Sequence, residues 1–130
     1  MPIYGFKKEL AKDFEDVVKE VEQKLKEQGF GIITRIDLKE KFKEKLGIDF
    51  KRYLILGACN PEFAHQGLEL EEDLGLLLPC NVVVYEQGGG KTVVSVSKPS
   101  FLVQGISNPE LEEFAQKVEE KLKQAFDKIG

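Results

Sequence analysis

A mixed fold, with strands and helices in the order β-α-β-α-β-α-β-β-(β)-α, is what the sequence predicts, and three observations predict it. Two long stretches, Phe14 to Leu25 and Leu111 to Ile129, each carry one apolar stripe at helical spacing. Short runs rich in Val, Ile and Tyr lie between them, bounded by Gly, Pro and Asn. Gln87-Gly88-Gly89-Gly90 separates two of those runs and marks a hairpin.

In chain order, residues 3–10 are read as a first edge strand. A helix follows, in which Phe14, Val17, Val18, Val21 and Leu25 form the stripe. Asp13 is its expected N-cap and Gly29 its stop. Phe30 to Ile36 is a strand, with Phe30, Ile32, Thr34 and Ile36 expected on one face. Asp37, with Glu40 three residues on, caps a short helix whose Leu38, Phe42 and Leu46 share a side and which Gly47 ends. Tyr53 to Ala58 is apolar at every position, the pattern of a central strand covered on both faces.

Asn60-Pro61 opens a third helix, with Asn at the N-cap and Pro in the first turn. Phe63, Ala64, Gly67 and Leu68 are its expected inner side. Val82 to Tyr85 and Thr92 to Val96 form the hairpin around the glycines. Ser100 to Val103 is read as a possible further strand, in the bracketed position of the order. Asn108-Pro109 repeats the helix-opening chemistry before the last helix. No linker or low-complexity run interrupts residues 1–130, so they are read as a single domain.

A net charge of −4 argues against a nucleic-acid partner, which needs a basic footprint. Lys and Glu alternate at helical spacing and read as solvated helix faces. Their abundance, with one Met and no Trp, suits a thermophile. No stretch approaches the ~18 apolar residues of a membrane span, and the first residues show no apolar leader core. A cytoplasmic protein without a membrane partner is expected, and in that compartment thiols stay reduced.

Gly29-Phe30-Gly31, Ile36-Asp37, Lys45-Leu46-Gly47, Leu56-Gly57-Ala58-Cys59-Asn60-Pro61 and Leu76-Leu77-Leu78-Pro79-Cys80-Asn81-Val82 together resemble the domain-of-unknown-function family 302, small bacterial and archaeal proteins. The resemblance covers nearly the whole chain. It implies an α+β fold: one curved antiparallel sheet with long helices packed on it, similar to the TATA-binding-protein-like architecture. It implies no DNA binding, and it brings no activity, substrate or catalytic residue.

The chemistry-bearing residues concentrate in two Cys-Asn dipeptides and the helix between them. Cys59 ends one strand and Cys80 begins another. Parallel strands would hold the thiols more than ~15 Å apart. Antiparallel strands, as the resemblance implies, bring both to one end of the sheet. The helix start at Pro61 then lies beside Cys59 and favours a thiolate or a bound anion there.

Three readings of the cysteines stay open: small buried apolar side chains, a thiol-based binding or redox site, and metal ligation with His65. Cys-x5-His followed by a distant Cys is not a standard zinc spacing, so no metal is expected. The candidate site comprises Cys59, Asn60, Pro61, His65, Pro79, Cys80 and Asn81. Binding of a small, anionic or thiol-reactive ligand is preferred. A cysteine enzyme, with Cys59 as nucleophile, His65 as base and Cys80 as resolving thiol, is the alternative, and an interaction protein with inert cysteines the third. No cofactor is named by the sequence. The glycine run is a turn and not a phosphate loop, because a strand follows it. Two long helices cover one sheet face only, and the apolar residues offered to the other predict a homodimer.

Overall fold

The computed structural model describes residues 3–130; Met1 and Pro2 lie outside the described residues. Five strands, β1 (Gly5–Leu10), β2 (Gly31–Asp37), β3 (Tyr53–Cys59), β4 (Cys80–Gly88) and β5 (Lys91–Ser97), form one sheet in the order β1-β5-β4-β3-β2. Every neighbouring pair is antiparallel. The helices are α1 (Phe14–Glu27), α2 (Leu38–Leu46), α3 (Pro61–Leu70), α4 (Pro99–Leu102) and α5 (Pro109–Asp127), with a 3₁₀ segment at Glu72–Leu77. This is an α+β fold, as the sequence and the resemblance led us to expect.

Register separates the two faces. Phe6, Val96, Val82 and Leu56 stand in one row across the sheet, and Val94, Val84 and Leu54 in the next. These side chains meet the stripes of α1 and α5, where Val17, Val21, Leu25 and Leu122 are fully buried. Each side chain of that size contributes about 1.5–3 kcal/mol when it leaves water. Helix α1 closes on a Schellman turn. Gly29 (φ +87) donates to the Lys26 carbonyl at 2.9 Å, and Phe30 to the Leu25 carbonyl at 2.9 Å. Leu25 and Phe30, both buried, supply the apolar contact that accompanies this motif.

The opposite face carries Ile36, Ile55 and Val83 in one row, with Tyr53, Tyr85 and Val93 beside it. Neither long helix packs there. Ile55 and Val83 are half-buried and Ile36 is exposed, whereas Val93 is already buried within the chain. Helix α3 does not cover this face: Phe63 packs against Phe114 of α5, ring centroids 5.9 Å apart, on the helical side. Helix α2 lies near the end of β3 and buries no residue.

Several expectations are corrected. Ser100–Val103 is not a strand. Pro99 starts the short helix α4, and the Ser100 hydroxyl and backbone N–H donate to the Glu119 carboxylate at 2.5 and 3.1 Å. Phe30, Ile32, Thr34 and Ile36 do not share a face. An irregularity between Ile32 and Thr34 breaks the alternation, leaving Ile32 against the core and Ile36 on the open side. Asp13 stands at the N-cap of α1, yet its side chain makes no capping hydrogen bond. Leu68 is 40 % exposed rather than on the inner side of α3.

Candidate functional site

Antiparallel pairing of β3 with β4 places Ala58 opposite Cys80, so Cys59 and Cys80 lie at the same end of the sheet. Both thiols are free, Cys59 half-buried and Cys80 buried. The backbone around them is tightly held. Asn60 accepts a hydrogen bond from the Phe63 N–H at 3.2 Å and so starts α3. Its amide also lies against Gly29, where a Cβ would come within 2.8 Å of Asn60 Nδ2. Gly57 lets a second element close in: a Cβ there would stand 2.7 Å from Pro79 Cγ and would collide with the Thr34 hydroxyl. The Leu78–Pro79 peptide is cis.

Cys59, Asn60, Pro79 and Cys80 line one cavity of about 60 Å³. A single water needs roughly 10–15 Å³ on this measure, so the space takes a few atoms of a small molecule and not one solvent molecule alone. Phe63 and Ala64 enter from α3, Leu74 and Leu77 from the 3₁₀ segment, Leu102 and Val103 from α4 and its exit, and Leu111, Phe114, Ala115 and Val118 from α5. The walls are carbon and sulfur almost throughout. Burial pushes the Cys80 thiol up to about 11, and the neighbouring Cys59 adds to the rise. Cys80 is therefore a neutral, poorly nucleophilic thiol at physiological pH.

The remaining candidates point elsewhere. His65 does not line the cavity; its side chain is 77 % exposed and its Nε2 lies 3.0 Å from Glu69 Oε1, one turn along α3. Helical geometry explains this: Phe63, Ala64 and Gly67 face inward, and residue 65 projects from another side. Pro61 and Asn81 are exposed and also outside the lining. Cys59, Cys80 and His65 thus do not converge, and among the described residues no three His, Cys, Asp or Glu side chains are placed to hold one metal ion. The α5 wall was missed as site because its stripe reads as ordinary core. A signal was present in the run Leu76-Leu77-Leu78, too apolar for a simple surface connection.

The chain matches the family model described as "Domain of unknown function DUF302" over residues 6–129. It is similar to the crystal structure of an uncharacterized conserved DUF302 protein from Bacillus stearothermophilus, with a TM-score of 0.90 and 32 % identity, over 99 % of this chain and 100 % of the other. It is also 30 % identical, over 90 residues, to the fluoride-specific ion channel FluC 1 of Brucella suis biovar 1 and to FluC 2 of Brucella melitensis biotype 1. Those matches take in 68 % of this chain but 35 % and 33 % of the channels, so the chain spans about a third of the length of these curated relatives. None of the described helices is long and apolar enough to cross a membrane. With nearly its full length matched by both the family model and a solved fold, the chain belongs to the DUF302 family.

Proposed function

We propose that this chain is a single-domain binding module for a small, uncharged, largely apolar ligand, held in the cavity at the Cys59 and Cys80 end of the sheet. The observation that carries the reading is the composition of the walls. A cavity of about 60 Å³ that opens between α3, α4, α5 and the 3₁₀ segment is faced by aliphatic and aromatic groups and two cysteines, of which Cys80 is a neutral thiol. Such a surface gains from covering an apolar ligand and charges a penalty of several kcal/mol to a buried anion without donors. The anionic ligand expected from the helix start at Pro61 is the weaker choice for that reason. One N–H group of that helix start, Phe63's, is already taken by the Asn60 cap.

The cysteine-enzyme reading has less support. Its base would be His65, which is paired with Glu69 outside the cavity, and its resolving thiol would be Cys80, which burial keeps protonated. The likeness to fluoride-specific channels supports a module that can be joined to other proteins. It does not carry fluoride to this cavity, whose almost wholly apolar walls do little to replace the water around that strongly hydrated anion.

Free thiols and the acidic net charge support a protein of the cytoplasm with no nucleic-acid or membrane partner. Its Lys- and Glu-rich surface supports a heat-adapted source. The working unit is a homodimer, since the sheet face away from the long helices keeps apolar side chains that one chain does not cover.

Titration with a small apolar fluorescent probe tests the cavity, with native mass spectrometry of the purified protein to detect a resident ligand. Ala115→Leu, at a buried wall position, should weaken probe binding at least tenfold while the protein remains folded by circular dichroism. Equal affinity in the variant and the parent would remove the cavity as the site.

A further inference from the structure

We infer that the sheet face turned away from α1 and α5 is the contact of a two-fold, sheet-on-sheet homodimer, with β1 laid antiparallel over β1 of the second copy. The inference rests on the homodimer reading and adds the surface and the symmetry. The centre of the face is apolar: Ile36, Ile55 and Val83 form one row, and Tyr53 and Tyr85 stack beside it with centroids 5.1 Å apart and planes 3° from parallel.

The apolar surface continues onto α2. Phe42 packs edge-on against Phe50 at 5.1 Å, and Phe50 meets Tyr53 at 6.3 Å. Yet α2 buries no residue, and Leu46, Ile48 and Phe50 remain 65 %, 48 % and 36 % exposed. A nine-residue helix has little stability of its own and normally draws it from packing an apolar side. Here Phe42 rests on Phe50 and is only half-buried, while Leu46 lies open to solvent.

Size and charge favour a second copy as the occupant. Strands spaced by ~4.8 Å and rising ~3.3 Å per residue make a five-stranded face of roughly 24 by 23 Å. Two such faces remove on the order of 1,100 Å² from water, which reaches the size of a specific interface even before α2 is added.

The rim carries both signs. Lys7 and Glu9 are alternate residues of β1 and point to the open side, where Lys7 Nζ reaches over Tyr85 at 5.8 Å and Glu9 pairs with Lys91 at 3.3 Å. A two-fold axis across the strands brings Lys7 of each copy to Glu9 of the other. The alternative axis, along the strands, would set both charges on β2, where the outward-facing Thr34 and Ile36 carry none.

Sedimentation equilibrium between about 1 and 100 µM, the range that separates weak from stable dimers, tests the inference. The parent chain should be a dimer. Ile55→Glu should raise its dissociation constant at least a hundredfold, and Leu76→Glu, an exposed position on the 3₁₀ segment, should leave it within threefold. Lys7→Glu alone should weaken association about tenfold. Lys7→Glu with Glu9→Lys should restore it. These two surface changes keep the test valid should Ile55→Glu fail to fold. A parent chain that is monomeric throughout would overturn the homodimer and the face together. A dimer indifferent to Ile55→Glu and Lys7→Glu would leave the homodimer standing and overturn the face.

Discussion

Cys80 shows how a single residue's surroundings set its chemistry. Its thiol sits opposite Ala58 with apolar neighbours, and burial lifts it to about 11 from an ordinary value of 9.0. At pH 8 such a thiol is ionised in roughly one molecule per thousand. In Cys59→Ser, alkylation of the native protein should therefore be slow at pH 8 and rise close to tenfold per pH unit toward 11. A plateau near pH 9 would show Cys80 to be solvated. The same shift acts on stability. The unfolded thiol ionises first, so the unfolded state binds fewer protons between pH 9 and 11. Stability from Cys80 is therefore fully present below pH 9 and is lost as pH rises through 11. The loss is on the order of 2–3 kcal/mol. Thermal melts across that window should fall less steeply in Cys80→Ala than in the parent, and parallel curves would count against the buried neutral thiol.

At the scale of elements, the caps differ in ways that spacing alone does not reveal. Asn60 and Asn108 each accept an N–H three residues on, at 3.2 Å, and Asn108 also donates to the Leu70 carbonyl at 3.0 Å. Asn108 thereby ties the start of α5 to the end of α3. Asp13 has the same position before α1 and makes no such bond. Asn108→Ala should cost about 1–2 kcal/mol in urea denaturation. Asp13→Ala should cost less than ~0.5 kcal/mol, since only its charge near the helix start is lost. Equal losses would show that position, not hydrogen bonding, decides. Much of the architecture was legible because Asn-Pro starts, Gly stops and apolar stripes act locally. The stripes of α1 and α5 and the glycine hairpin need no tertiary knowledge. What was illegible depends on partners distant in sequence. The irregularity after Ile32 is set by pairing with β3, and α4 by Glu119, which holds Ser100. The site was half legible. Cys59, Asn60, Pro79 and Cys80 were found, but the α5 wall looks like core, and His65 was included for its chemistry although its helical position turns it outward.

Across the whole molecule, buried residues divide into two clusters of unequal strength. The larger joins the sheet to α1 and α5, through Leu56, Val82, Val84, Val94, Val21 and Leu122, all fully buried. The smaller centres on Leu74, Val103, Leu111 and Ala115, with half-buried Leu77 and Leu78 around it. A 3₁₀ turn and the four-residue helix α4 supply much of this second cluster, and the cavity lies where it meets Phe30, Ala58, Cys80 and Val118 of the first. Short elements offer few cooperative hydrogen bonds, and cavity walls forgo contacts on their open side. The cavity wall should therefore open locally at lower free energy than the sheet. Native-state hydrogen exchange should show the backbone amides of Leu78 and Val103 less protected than those of Val84 and Val94, by about thirtyfold or more, which corresponds to roughly 2 kcal/mol. On the binding reading proposed above, ligand entry would use that opening. A saturating apolar ligand should raise protection at Leu78 and Val103 by about a hundredfold at a hundred times its dissociation constant, if their opening requires release. Protection already equal in the two clusters would describe a closed, rigid cavity wall, and would return the thiols at its base to the role of simple core side chains.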